Sequence, residues 1–164
     1  MRDSVKVFVM ALSLAGVTCG SSGGSKNVAG FVGVWSPASG VYTQTCPGDA
    51  ANTGTKQVTD TETWATGTTS DLVQTIPGTS CVLHADISAS TATATPANQT
   101  CTVTSTGGGD SITQALTLTA YNFVLSSDGL TATENYSGTM VLTDNTVGVS
   151  ENCTFTQTAS YSKQ

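Results

Sequence analysis

Charge is scarce in this chain. Charged residues make up 10% of its 164 positions, with five Lys+Arg, eleven Asp+Glu and a single His. A surface that tracks phosphates needs clustered cations, so nucleic acid is excluded as a partner. One His and so little charge leave scant material for acid–base chemistry, and the chain reads as no enzyme. No apolar run reaches the roughly 20 residues of a membrane-spanning helix. The charge is also too low for the usual disordered composition. What is abundant is Thr and Ser, together about three residues in ten.

The first residues form a distinct segment. Arg2 and Lys6 precede an almost wholly apolar stretch from Val7 to Val17, followed by Thr18-Cys19-Gly20 and a Ser/Gly run. A basic start, a short apolar stretch and small residues after it describe an export signal. Leu14-Ala15-Gly16-Val17-Thr18-Cys19 resembles the signal of bacterial lipoproteins, in which the cysteine is acylated. Thr18 stands where that family prefers Gly, Ala or Ser. The resemblance implies a signal over 1–18, a lipidated Cys19 and a flexible tether over 19–27. It implies a membrane partner through the lipid anchor, at the outer membrane or cell surface, because Gly20 is not the Asp that marks inner-membrane retention. Plain secretion, with cleavage near Gly20, is the alternative. Removing the signal with Arg2, Lys6 and Asp3 leaves three cations against ten acids, a net charge near −7.

Beyond Cys19 four cysteines remain, Cys46, Cys81, Cys101 and Cys153. An even number in an exported chain reads as two disulfides. Zinc would need closely spaced pairs such as C-x-x-C, so no metal and no cofactor is expected. Cys81 and Cys101 each open an apolar alternation, with a hairpin-like stretch between. That puts them at the same end of neighbouring strands and favours Cys81–Cys101, which leaves Cys46–Cys153.

Residues 28–164 read as one all-β domain. Alternation with period two recurs throughout. Cys81, Leu83, Ala85 and Ile87 share one face of a strand, opposite Val82, His84, Asp86 and Ser88. Cys153, Phe155, Gln157, Ala159 and Tyr161 alternate with Thr154, Thr156, Thr158 and Ser160. Ile112, Leu116, Leu118 and Ala120 lie on even positions, then Tyr121, Phe123 and Leu125 on odd ones. That change of parity predicts a bulge within one long strand. Turn signals separate the runs, among them Ser36-Pro37, Cys46-Pro47-Gly48-Asp49, Thr95-Pro96 and Asp128-Gly129. The expected fold is an antiparallel meander of about 8–10 strands in simple succession, closed or partly open as a β-barrel, with a β-sandwich as the alternative.

Gly33-Val34-Trp35 resembles the G-x-W near the start of lipocalins. The resemblance implies a Trp plugging the closed end of a barrel and a cavity for a small apolar molecule. Trp35, Tyr42 and Trp64 are the candidate ligand-binding residues, with Trp64, set among Thr and Glu, partly exposed. His84 and Asp86, two apart on an outward face, have the residue types of a base and its orienter, but a solvated face accounts for them. No G-x-S-x-G elbow accompanies them. The carboxylates Asp49, Asp60, Glu62, Asp71, Asp110, Asp128, Asp144 and Glu151 scatter mostly over turns. The Thr-x-Thr repeats read as the outward half of antiparallel strands, where cross-strand pairs each contribute a few tenths of a kcal/mol.

These features point first to an exported cell-envelope lipoprotein. Its β-domain would be non-catalytic, with a structural role or one in binding a cell-surface component. A lipocalin-like carrier of a small apolar ligand is the second reading, and a secreted, non-lipidated protein a third. A carrier requires a continuous cavity of roughly 300 Å³ or more above Trp35. A hydrolase would require two ionisable groups within reach of each other in a cleft.

Overall fold

A computed structural model describes residues 26–76, 79–107 and 110–164. The export signal, Cys19 and most of the tether lie outside the described residues. A short helix, α1 (Val28–Phe31), precedes ten strands. They are β1 (Gly33–Thr45), β2 (Gly54–Gln57), β3 (Glu62–Thr66), β4 (Leu72–Thr75) and β5 (Val82–Ser88). There follow β6 (Thr91–Ala94), β7 (Thr100–Gly107), β8 (Asp110–Leu125), β9 (Thr131–Asp144) and β10 (Val149–Lys163). All pairings between them are antiparallel.

The hydrogen bonding closes in a ring through β1, β3, β4, β5, β6, β8, β9, β10 and back to β1. The simple succession fails at two places. β2 lies beside β1 and β7 beside β8, off the ring path. The cause is strand length. β1, β8, β9 and β10 run for 13 to 16 residues, whereas β3, β4 and β6 have five, four and four. The short strands cover only one end of the long ones. β3 pairs with β1 at Gly33 to Trp35, and β2 takes over at Val41 to Gln44. Likewise β6 meets β8 at Asn122 to Val124, and β7 pairs with Asp110 to Thr117.

Inward and outward faces follow the alternation. β5 and β10 bury Leu83, Ala85 and Ile87, and Cys153, Phe155, Gln157, Ala159 and Tyr161. The parity change in β8 is a register shift between Leu118 and Ala120 against β9. Gly138 stands opposite Leu118 and Phe155, where a Cβ would collide with the Phe155 ring and the Thr117 carbonyl. Outside, Thr and Ser pair across strands, as in Thr104–Thr113 at 2.9 Å and Thr143–Ser150 at 2.9 Å. Asp128-Gly129 makes the β8–β9 hairpin, with Gly129 at φ 70°. Ser36-Pro37 is not a turn. It lies within β1 at a register shift against β10, where the ladder is interrupted and a missing N–H is tolerated.

Two apolar clusters fill the ring. The larger holds Phe31, Trp35, Trp64, Leu72, Ile87 and Phe123 at the end nearest α1. The Trp35 indole donates to the Phe31 carbonyl at 2.8 Å and meets the Phe123 ring edge-on at 5.2 Å. Trp64 is not partly exposed: it is 1% accessible, because it shares the inward face of β3 with Glu62. The smaller cluster surrounds Cys46 and Cys153 with Met140, Leu142 and Phe155.

Both disulfides pair as the sequence indicates, Cys46–Cys153 and Cys81–Cys101. The second does not join neighbouring strands. β5 pairs with β4 and β6, and β7 with β8, so this bond spans the gap between β7 and the start of β5. Two disulfides indicate an oxidising, extracytoplasmic environment. Among the described residues no helix is long and apolar enough to cross a membrane.

Cys46–Cys153 closes a separation of 107 residues. A loop of that order contributes about 4.7 kcal/mol on the chain-entropy account. Replacing both cysteines by Ser is expected to lower unfolding stability by roughly 3–5 kcal/mol in urea titrations. A loss under about 1 kcal/mol would contradict that role.

Candidate functional site

Because β2 and β7 do not pair with each other among the described residues, the ring is open on that side at the end away from α1. A cavity of about 430 Å³ occupies the opening. Its mouth is formed by the end of β2 and the connection to β3, from Lys56 to Asp60, by Ile76 and Val82 around the β4–β5 turn, and by Val103 of β7. Cys81 and Cys101 line it too, so the second disulfide fixes one side of the opening. The walls carry Leu83, Leu116, Leu118 and Phe155.

The floor is polar. Inward positions of four strands supply Glu62 (β3), Gln74 (β4), Glu134 (β9) and Gln157 (β10), all buried. Tyr121 (β8), Tyr136 (β9) and Tyr161 (β10) complete it. The strand registers stack this layer on the packed end. Trp35 pairs with Glu62 across β1–β3, and with Lys163 beyond Tyr161 on β10.

A hydrogen-bond chain runs through the floor. The Tyr136 hydroxyl donates to Gln157 Oε1 at 2.9 Å, and Gln157 Nε2 donates to Glu134 Oε2 at 2.6 Å. The Tyr161 hydroxyl lies 2.8 Å from Glu62 Oε1 and 3.3 Å from Glu134 Oε2. One hydroxyl therefore reaches both carboxyls. Among the described residues, Glu62 Oε2 and the Tyr121 hydroxyl are buried without a hydrogen-bond partner. Native interiors leave few such groups unpaired, since each costs about 1–3 kcal/mol.

Burial holds the Glu62 carboxyl well above the ordinary 4.5, and the neighbouring Glu134 charge raises it further. Burial raises Glu134 too, opposed by the hydrogen bonds it accepts. Two buried carboxyls this close do not both ionise readily, so the proton is held by the pair. Burial, with the Glu134 charge, also raises Tyr121, Tyr136 and Tyr161, whose hydroxyls stay neutral.

Of the sequence candidates, Tyr42 lines the cavity, half-buried and stacked on Phe155 at 6.2 Å. Trp35 and Trp64 belong to the packed end beneath it. Glu62 is not a turn residue but the buried head of β3. Glu134 escaped notice in the sequence. It stands on the even positions of β9 with Ala132, Gly138, Met140 and Leu142, all buried, and that alternation marks it as inward. His84 and Asp86 do not act together. His84 Nδ1 lies 3.2 Å from the Ser70 hydroxyl, and Asp86 accepts from the Asp71 amide at 3.1 Å. Cys46, Glu151 and Cys153 bring ligand-type atoms within 4.8 Å of one another, but the two sulfurs are bonded to each other. No protein-family model, no curated protein and no solved structure matches this chain.

The raised carboxyls set a pH dependence. The folded state holds a proton that the unfolded chain gives up near 4.5, so this contribution to stability is present below that value. It is lost as pH rises through the higher folded value. Glu62→Gln removes the ionisation. Its melting temperature is expected to exceed that of the unaltered protein by roughly 4 °C or more at pH 8 and to match it at pH 4. Equal melting curves at pH 8 would refute the buried-pair reading.

Proposed function

We propose that this protein is an exported, non-catalytic carrier that holds one small amphipathic molecule in the cavity of its ring. The observation that carries the reading is a cavity of about 430 Å³ whose floor presents two buried, unpartnered polar groups, Glu62 Oε2 and the Tyr121 hydroxyl. Its volume lies within the usual range for small-molecule sites, about 300–1,000 Å³. Apolar walls with a few convergent polar groups are also typical of such sites. This favours the carrier over a purely structural or surface-binding role. The polar floor implies a ligand with a polar end rather than a wholly apolar one. The two carboxyls reach a single hydroxyl, at 2.8 and 3.3 Å, so two ionisable groups do lie within reach of each other in the cavity, the arrangement a hydrolase would require. Binding is the reading kept here, on the apolar walls above the pair.

We further propose anchorage through an acylated Cys19, on the lipobox-like sequence from Leu14 to Cys19 and on the odd cysteine left by two disulfides. Multiple acyl chains, at about 0.8 kcal/mol per buried CH₂, would hold the protein stably at a membrane.

Two measurements test these readings. The small neutral fluorophore prodan is expected to bind once per chain with a blue shift. Leu116→Trp, which fills a wall of the cavity, should abolish that signal. Absence of saturable binding, or a signal indifferent to Leu116→Trp, would contradict the carrier. Mass spectrometry of the mature protein should find a diacyl or triacyl mass on Cys19. An unmodified Cys19, or a mature start beyond it, would contradict the anchor.

A further inference from the structure

The carrier reading leaves open what the floor of the cavity recognises, and its side chains narrow the choice. From the geometry we infer that the ligand is a small organic cation, an ammonium on an apolar body, seated on the floor against Glu62 and Glu134 with its body against the aromatic and aliphatic walls. This rests on the carrier reading and names its ligand class.

Three independent observations converge. First, the two carboxyls lie side by side beneath the cavity, joined through the Tyr161 hydroxyl at 2.8 and 3.3 Å. The described residues offer them no cationic partner: the one ion pair found there joins Lys26 to Asp71, and Lys163 sits over Trp35 at the packed end. Lys56, at the mouth, is exposed. A ligand ammonium has three donors and a full charge. It can satisfy both carboxylates at once, which a neutral hydroxyl or carbonyl cannot. Second, Glu62 Oε2 and the Tyr121 hydroxyl are buried and unpartnered, and both residues line the cavity. Each is an acceptor for an N–H once Glu62 is ionised. Third, tyrosine rings of the floor adjoin the Phe155 ring of the wall. Tyr121 and Tyr136 stack at 6.2 Å, and Tyr136 meets Phe155 edge-on at 5.9 Å. Ring faces attract cations, and do so more strongly in a desolvated site.

A bare metal ion fits less well. Two carboxyls and tyrosine hydroxyls among apolar walls fall short of the six to eight oxygens that calcium takes. The walls from Leu83, Leu116 and Leu118 would go unused.

Charge balance gives the inference a second readout. Without a ligand the carboxyl pair keeps a proton, and a bound cation lets that proton leave. Binding therefore releases up to one proton and tightens as pH rises. The titratable groups facing the pair are Tyr121, Tyr136 and Tyr161, all held neutral, with Tyr42, Asp60 and Lys56 farther out along the cavity.

The test is isothermal titration of the protein with 4-phenylbutylamine and with 4-phenylbutan-1-ol, at pH 6 and pH 9 in buffers of different ionisation enthalpy. The amine is expected to bind at least tenfold tighter than the alcohol, more tightly at pH 9, with proton release. Glu62→Gln and Glu134→Gln should each remove the preference. Glu62→Gln is expected to fold more stably at neutral pH, so its loss of amine binding would not reflect unfolding. Tyr121→Phe should weaken the amine by several-fold. Equal binding of amine and alcohol would overturn the cation while leaving the carrier standing. Calcium displacing the amine would overturn the organic ligand. Binding of neither probe would overturn the carrier itself.

Discussion

The pairing of β1 with β10 is the constraint on which the structure depends. It joins the first strand to the last from Trp35–Lys163 to Thr45–Thr154 and turns a meander into a closed ring. A closed ring has no exposed edges at that level, and its inward residues face one another across a shared interior. Cys46–Cys153 clamps the same two elements at the far end of the ladder. The short β3, β4 and β6 close the ring only near Trp35. The long strands continue past them, flanked by β2 and β7, and the space between those two becomes the cavity. Strand length thus decides where the protein is packed solid and where it is hollow.

The hollow part concentrates what little charge the interior holds. Glu134 is 1% accessible and Glu62 6%, in a chain where charged residues are few. An unpaired buried charge is expensive, and the usual remedies are a partner ion or a retained proton. Among the described residues no cation stands beside the pair, so a retained proton is the protein's own remedy. A positively charged ligand would supply the other. The same feature that weakens the fold as pH rises would thereby give it selectivity. Sites tuned for binding often carry a local cost in stability of this kind.

Much of this was legible in the sequence because period-two alternation is a strong signal. It placed Leu83, Ala85 and Ile87 inward, did the same for Phe155, Gln157 and Tyr161, and located the break in β8 near Ala120. Cys81–Cys101 is favoured because each cysteine opens an alternating run, which leaves Cys46–Cys153, although Cys81 and Cys101 bridge a gap rather than adjacent strands. The misreadings have physical causes. Pro37 resembles a turn residue, yet a bulge in a long strand accommodates it equally well. Trp64 sits among polar neighbours, but its parity with Glu62 turns both inward. Glu134 shares parity with Ala132, Met140 and Leu142, and a carboxylate on such a face is the clue to a polar floor. That β2 and β7 leave the ring path was not legible, because it follows from how far β3 and β6 reach along their partners.

The central claim is that Glu62 and Glu134 form a buried, proton-sharing pair in the floor of the cavity. A carbon-13 NMR titration of the glutamate side-chain carboxyls, assigned through Glu62→Gln and Glu134→Gln, measures this directly. The account predicts two coupled transitions, the higher one well above the ordinary 4.5, so that one carboxyl of the pair is still protonated well above that value. Two independent transitions near 4.5 would contradict it.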